Sequence, residues 1–162
     1  MIFIESNVPM YVVGSDETLK AAAVAGLEAA ITAVERLVSD AAVLQEMVLQ
    51  EILHRYTAIR RPEAIQPAFD VLLDAVDEVL PNEVADVQAA KEVLLGRYQL
   101  SARDAVHVAV MRRHGIGTVI TLDRGFDGYP GIHRRSRSAG SARDRRTRAV
   151  TAVAGTMRTR RT

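Results

Sequence analysis

The chain has 162 residues, of which 48% are hydrophobic and none is cysteine. That is one domain's worth, long enough to bury roughly two-thirds of its unfolded surface. Disulfides and thiolate metal sites are excluded, so a reducing compartment is expected. With no signal-peptide pattern and no apolar stretch of transmembrane length, a cytoplasmic protein without membrane association is expected.

The net charge of +1 conceals two unlike parts. Residues 1–132 hold 19 acids against 11 Lys plus Arg, a balance of −8, whereas residues 133–162 hold one acid, Asp144, against ten Arg, a balance of +9. Apolar periodicity also stops at His133, where Arg, Ser, Ala, Thr and Gly take over. Such a segment has too little apolar surface to offset its ordering entropy. The expected organisation is a folded domain over 1–132 and a disordered Arg-rich tail over 133–162.

Met1-Ile2-Phe3-Ile4 is a short apolar run that stops at a carboxylate, Glu5. It reads as a buried strand delivering one acid to its C-terminal edge. Val8 to Val13 open a helix that Gly14 and Ser15 break, and Leu19 to Val34 form an Ala-rich amphipathic helix. Arg36 to Asp40 reads as a second strand, feeding a helix from about Ala41 to Tyr56. Within that helix, Val43-Leu44-Gln45-Glu46-Met47 is followed by the near copy Val48-Leu49-Gln50-Glu51-Ile52. Five residues turn a helix by about 500°, which sets Glu46 and Glu51 roughly 140° apart, so only one of them can face a given site.

Arg61-Pro62 starts a further helix, with Pro67 implying a kink or a late start. Glu78-Val79-Leu80 is a third strand, and Asn82 is the expected cap of a helix over Glu83 to Leu95. Asp70, Asp74, Asp77 and Asp86 read as solvated charge. Ser101-Ala102-Arg103-Asp104 has the form of a capping box ahead of the run Ala105 to Val110. Thr118 to Leu122 is a fourth strand, ending at Asp123 as the first ends at Glu5. His107 reads as a core histidine, and His54, His114 and His133 have weaker claims to a site.

Strands alternating with helices predict a parallel α/β sheet with acids gathered at one edge. Carboxylates crowded without a counter-cation repel each other, and a hard divalent ion with oxygen ligands, Mg²⁺ or Mn²⁺, would relieve that repulsion. Such an ion suits phosphodiester hydrolysis. A phosphorylated receiver domain would need a Lys at a strand end, and neither Lys20 nor Lys91 is there. A haloacid-dehalogenase-like phosphotransferase would need two acids spaced by one residue, whereas Glu5-Ser6-Asn7 supplies one.

Four segments in order, Ile4-Glu5-Ser6-Asn7, Val43-Leu44-Gln45-Glu46, Leu100-Ser101-Ala102-Arg103-Asp104-Ala105-Val106-His107-Val108-Ala109 and Thr121-Leu122-Asp123-Arg124-Gly125-Phe126-Asp127, resemble the PIN domain. Within it they resemble the VapC-type toxin ribonucleases of bacterial toxin-antitoxin pairs. The resemblance implies a three-layer α/β/α fold with a central, mostly parallel sheet. It also implies a metal-dependent endoribonuclease, usually a homodimer, held inactive by a VapB-like antitoxin.

Carried over by position, Glu5, Glu46, Asp104 and Asp123 would be the acidic quartet around Mg²⁺ or Mn²⁺, with Asn7 and Ser101 as polar supports. The chain departs from the family in having Glu5 where Asp is usual, and in its five-residue repeat. Glu46 has the family's spacing from the second strand, while Glu51 has its downstream context, so Glu51 is the alternative ligand. These departures leave a second function open, a VapC-like module that dimerises and binds an antitoxin without cutting RNA.

Overall fold

The computed structural model describes residues 1–40, 48–96 and 98–135. Its strands are β1 (Ile2–Ile4), β2 (Leu37–Asp40), β3 (Glu78–Leu80), β4 (Thr118–Ile120) and β5 (His133–Arg135). All pair in parallel, in the order β3-β2-β1-β4-β5. Its α-helices are α1 (Asn7–Val13), α2 (Glu17–Thr32), α3 (Val48–Ala58), α4 (Ile65–Ala75), α5 (Val84–Leu95) and α6 (Ala102–Arg113).

Alternation along the strands divides the core in two. Ile2, Ile4, Leu37 and Ile120 point to one face and pack with Val8, Val12, Leu27, Ile52 and Leu72 from α1 to α4. Phe3, Val38 and Val119 point to the other face and meet Val93, Val108 and Met111 from α5 and α6. Both faces of the sheet are therefore covered, which is why β1 reads as a continuous apolar run and not as an alternating one. The result is the expected three-layer α/β/α arrangement around a parallel sheet.

From β1 the chain builds outward to β2 and β3, then returns to lay β4 and β5 on the other side of β1. The direction of winding reverses between β1 and β4, and an α/β sheet opens a crevice at the carboxyl ends of its strands at such a point. Glu5 and Asp123 follow the two strands that flank it.

Local differences from the sequence expectations have physical causes. Helix α2 ends at Thr32, because Val34 takes a positive φ of 54° in the turn to β2; no Gly or Asn marks that turn. Pro67 falls in the first turn of α4, which starts late, after a short 3₁₀ turn over Pro62–Ala64. Asn82 does not cap α5. Glu83 does, in a capping box with Asp86, while Asn82 Oδ1 is buried without a partner among the described residues.

Asp86 is not solvated charge either. It is 2% exposed, accepts the Glu83 backbone N–H at 2.8 Å and receives Arg113 Nε and Nη2, each at 2.8 Å. It thus fastens the start of α5 to the end of α6. The sheet also extends three residues into the segment assigned by composition to the tail, since β5 pairs Thr118 with His133 and Ile120 with Arg135. Residues 136–162 lie outside the described residues, as do residues 41–47 of the expected second-strand helix.

Candidate functional site

Strand β1 carries Glu5 straight out of the core to the sheet edge, yet the side chain is 5% exposed. Its oxygens are held from three directions. Ser6 Oγ donates to Oε1. The Asn7 backbone N–H donates to Oε2 at 3.2 Å, and Thr121 Oγ1 donates to the same oxygen at 3.0 Å. The side chain, longer than an aspartate's, is thus accommodated by a shell of donors.

Asn7 fastens the two flanking strands together. Its Nδ2 donates to Thr121 Oγ1 at 2.9 Å, and its Oδ1 accepts the Leu122 N–H at 3.3 Å. Thr121 Oγ1 in turn accepts the Asp123 N–H at 3.0 Å. Asp123 caps the 3₁₀ turn Arg124–Gly128 by accepting the Gly125 N–H at 2.8 Å. This turn needs glycine, because a Cβ at Gly125 would lie 2.7 Å from the Gln99 carbonyl oxygen and 3.3 Å from Asp123 Oδ1.

Asp104 arrives from α6. Ser101 Oγ accepts the Asp104 N–H at 3.2 Å, and Asp104 Oδ2 accepts the Ser101 N–H at 2.9 Å. Capping spends one carboxylate oxygen and keeps the helix start rigid. Capping and a role in the site are therefore compatible. Glu5, Asn7, Ser101, Asp104 and Asp123 all line one cavity of about 760 Å³.

Burial raises the Glu5 pKa above its ordinary 4.5, and the neighbouring charge of Asp104 adds to the rise. Opposing them are the charge of His107 and the hydrogen bonds from Ser6 and Asn7. The two carboxylates thus feel each other across the site.

A family model for the PIN domain matches residues 2–132. The chain belongs to the PIN domain family. Ribonuclease VapC13 of Mycobacterium tuberculosis is 54% identical to it over 134 residues, which cover 83% of this chain and 98% of that protein. This PIN domain is accordingly of the VapC toxin ribonuclease type. The crystal structure of M. tuberculosis VapC20, described as a toxin that cleaves the sarcin-ricin loop, aligns with a TM-score of 0.62 at 19% identity, covering 82% of this chain and 98% of that one. VapBC2 of Rickettsia felis, bound to a DNA fragment from its promoter, aligns at 0.61 with 15% identity, covering 83% and 98%.

The PIN domain's donor set at this edge consists of carboxylate, amide and hydroxyl oxygens, which suit a hard divalent cation. The mutual repulsion of Glu5 and Asp104 is what such a cation would neutralise. Among the described residues no three acids or histidines converge closely enough to hold a metal by themselves. The remaining candidates from the sequence are Glu46 and Glu51. Glu46 lies outside the described residues, and of Glu51 only the backbone, in the first turn of α3, is described.

Two parts of the PIN domain site were missed from sequence. Thr121, 1% exposed, is the hub joining Glu5, Asn7 and Asp123; a threonine at a strand end carries no distinctive signal. Asp40 did carry one, since β2 ends in an acid as β1 is followed by one. It is fully buried, and its Oδ2 lies 2.9 Å from His107 Nδ1, while its Oδ1 has no partner among the described residues. Asp40 therefore turns inward to α6 and away from the cavity. Burial alone would lower the His107 pKa, but Asp40, by charge and hydrogen bond, with Glu5 and Asp104 beyond, raises it to about 9. His107 is a core histidine, as expected, and its pairing with Asp40 favours the protonated ring.

Proposed function

We propose that this PIN domain is a metal-dependent endoribonuclease, the toxin of a toxin-antitoxin pair, which hydrolyses RNA phosphodiesters with Mg²⁺ or Mn²⁺. The observation that carries this is Glu5, a buried carboxylate held by three donors where the sheet reverses its winding, on the same cavity as Asp104 and Asp123. Glu5, Asp104 and Asp123 would hold the ion, joined by Glu46 or, in its place, Glu51. When bound, such an ion would supply the Lewis acidity needed to activate water and polarise a phosphoryl oxygen.

The chain's own residues keep the ligands in place. Ser6, Asn7 and Thr121 orient Glu5, the Ser101 N–H orients Asp104, and the Gly125 N–H orients Asp123. None of these is a nucleophile, and none needs to be. The VapC13 similarity supports RNA as substrate, and the VapBC2 complex supports a VapB-like antitoxin as partner. A homodimer acting in the cytoplasm completes the proposal. Among the described residues, no helix is long and apolar enough to cross a membrane.

The test is cleavage of a mixed RNA pool by the purified chain in Mg²⁺, in Mn²⁺ and in chelator. Cutting that chelator stops, and that Asp104→Asn and Asp123→Asn abolish, supports the proposal. Cutting that survives chelator removes the metal from it. If only a Glu5→Asp version cuts, the chain is a disarmed toxin and the binding-module function takes its place. Comparing Glu46→Gln with Glu51→Gln by metal titration decides the fourth ligand.

A further inference from the structure

The cavity that presents the three acids also carries cations. Arg55, near the end of α3, and Arg61, in the turn leading to α4, line it together with Tyr56. Their backbone is firmly placed. Tyr56 is 4% exposed and its hydroxyl donates to the Met10 carbonyl oxygen at 3.1 Å, which ties this end of α3 to α1. The Arg61 N–H donates to the Tyr56 carbonyl oxygen at 2.7 Å. Burial pushes the Tyr56 hydroxyl up to about 12, against the opposing charges of Arg61 and Arg55, so both guanidinium groups act on this wall of the cavity.

Among the described residues Arg55 makes no ion pair, and the Arg61 side chain pairs with the exposed Glu63. Arg61 and Glu63 are both solvent-exposed, and such a pair is weak enough to be exchanged for a phosphate. A polyanion approaching Glu5, Asp104 and Asp123 meets repulsion, and cations lining the same cavity offset it. A guanidinium matches phosphate geometry with two parallel hydrogen bonds. The chain has no Trp, three Phe and four Tyr, so base stacking offers little alternative grip.

We propose that Arg55 and Arg61 form a phosphate-binding subsite that holds the RNA backbone to one side of the bond to be cut. This rests on the ribonuclease function proposed above and adds to it the residues that position the substrate. They act on binding and not on the reacting atoms.

The test is binding of a short fluorescent oligouridylate to the full chain in chelator, across a range of salt concentrations. The variants are Arg55→Gln/Arg61→Gln, Arg55→Lys/Arg61→Lys and, as a control outside the cavity, Lys91→Gln on α5. The Arg-rich tail is present in every variant, so its contribution cancels. Losing two phosphate contacts makes the logarithmic salt slope shallower by about 1.4 and weakens binding roughly tenfold or more at low salt. The Lys pair keeps the slope of the unaltered chain, and Lys91→Gln changes little.

A Gln pair whose slope matches that of Lys91→Gln overturns the subsite, as does a Lys pair that loses as much slope as the Gln pair. If the unaltered chain cuts RNA while the Gln pair binds as tightly as it does, the subsite alone fails. If the unaltered chain neither binds nor cuts RNA, the ribonuclease function fails and the subsite with it.

Discussion

Glu5 and His107 are both buried beside the cavity, and each leaves a pH signature. Folding raises the Glu5 pKa, so the folded state holds its proton more tightly than the unfolded state does. Stability therefore falls as pH rises from 4.5 through the raised value. Glu5→Gln is expected to raise the melting temperature at pH 7 while lowering cleavage by at least about 10²-fold; calorimetry beside an RNA assay checks both. A lower melting temperature would show that the Ser6 and Thr121 hydrogen bonds outweigh the burial of charge.

His107 follows the same sign with a different outcome. Its folded pKa of about 9 lies above the ordinary 6.5. The Asp40 pair thus contributes stability in full below pH 6.5, and this is lost as pH rises through about 9. Denaturant melts across that window should show the decline in the native chain. They should show it flattened in His107→Gln, whose residual slope reports the other groups.

At the scale of elements, the site depends on turns more than on helices. Asp123 is presented by a 3₁₀ turn that closes only because Gly125 lets the chain pass the Gln99 carbonyl. Gly125→Ala forces a contact of 2.7 Å to give way. The expected cost is about 1–3 kcal/mol of stability, by overpacking. Displacing Asp123 should also slow cleavage, which separates this position from a glycine needed only for folding. Unchanged unfolding midpoints and unchanged cleavage would show that the Gln99 loop yields freely.

Secondary structure was legible wherever a local signal agreed with tertiary packing. The capping box at Ser101 and Asp104 and the strand Glu78–Leu80 are both of this kind, while at Pro67 the structure chose a late start over a kink. The sequence was opaque where a long-range partner decided the outcome. Asp86 is an unremarkable acid until Arg113, 27 residues away, is placed beside it. Asn82 is a better cap by type than Glu83, but the capping box that Glu83 makes with Asp86 won.

For the whole molecule, charge separation is the main feature. An acidic domain carries an Arg-rich C-terminal segment, and part of that segment belongs to the sheet, because β5 includes Arg134 and Arg135. A deletion that tests the tail must therefore keep the strand and end after Arg135. If residues 136–162 help to capture RNA, the shortened chain binds RNA more weakly and with a shallower salt slope, while its cleavage still requires metal. An unchanged slope would leave the tail without a part in RNA binding.

By itself the sequence determined the parallel α/β class and the chain order of the first four strands and the helices among them, and it nominated Glu5, Asp104 and Asp123, which the fold brings to one cavity. These depend on periodicity and on strand ends, which are local properties of the chain. Only the tertiary structure decided that Thr121 joins Glu5 to Asp123, that Asp40 turns inward to His107, and that Arg55 and Arg61 share a cavity with the acids. Each of those relations spans a crossover of the sheet. The winding reversal at β1 and β4 makes neighbours of residues more than a hundred positions apart, and no local pattern encodes that.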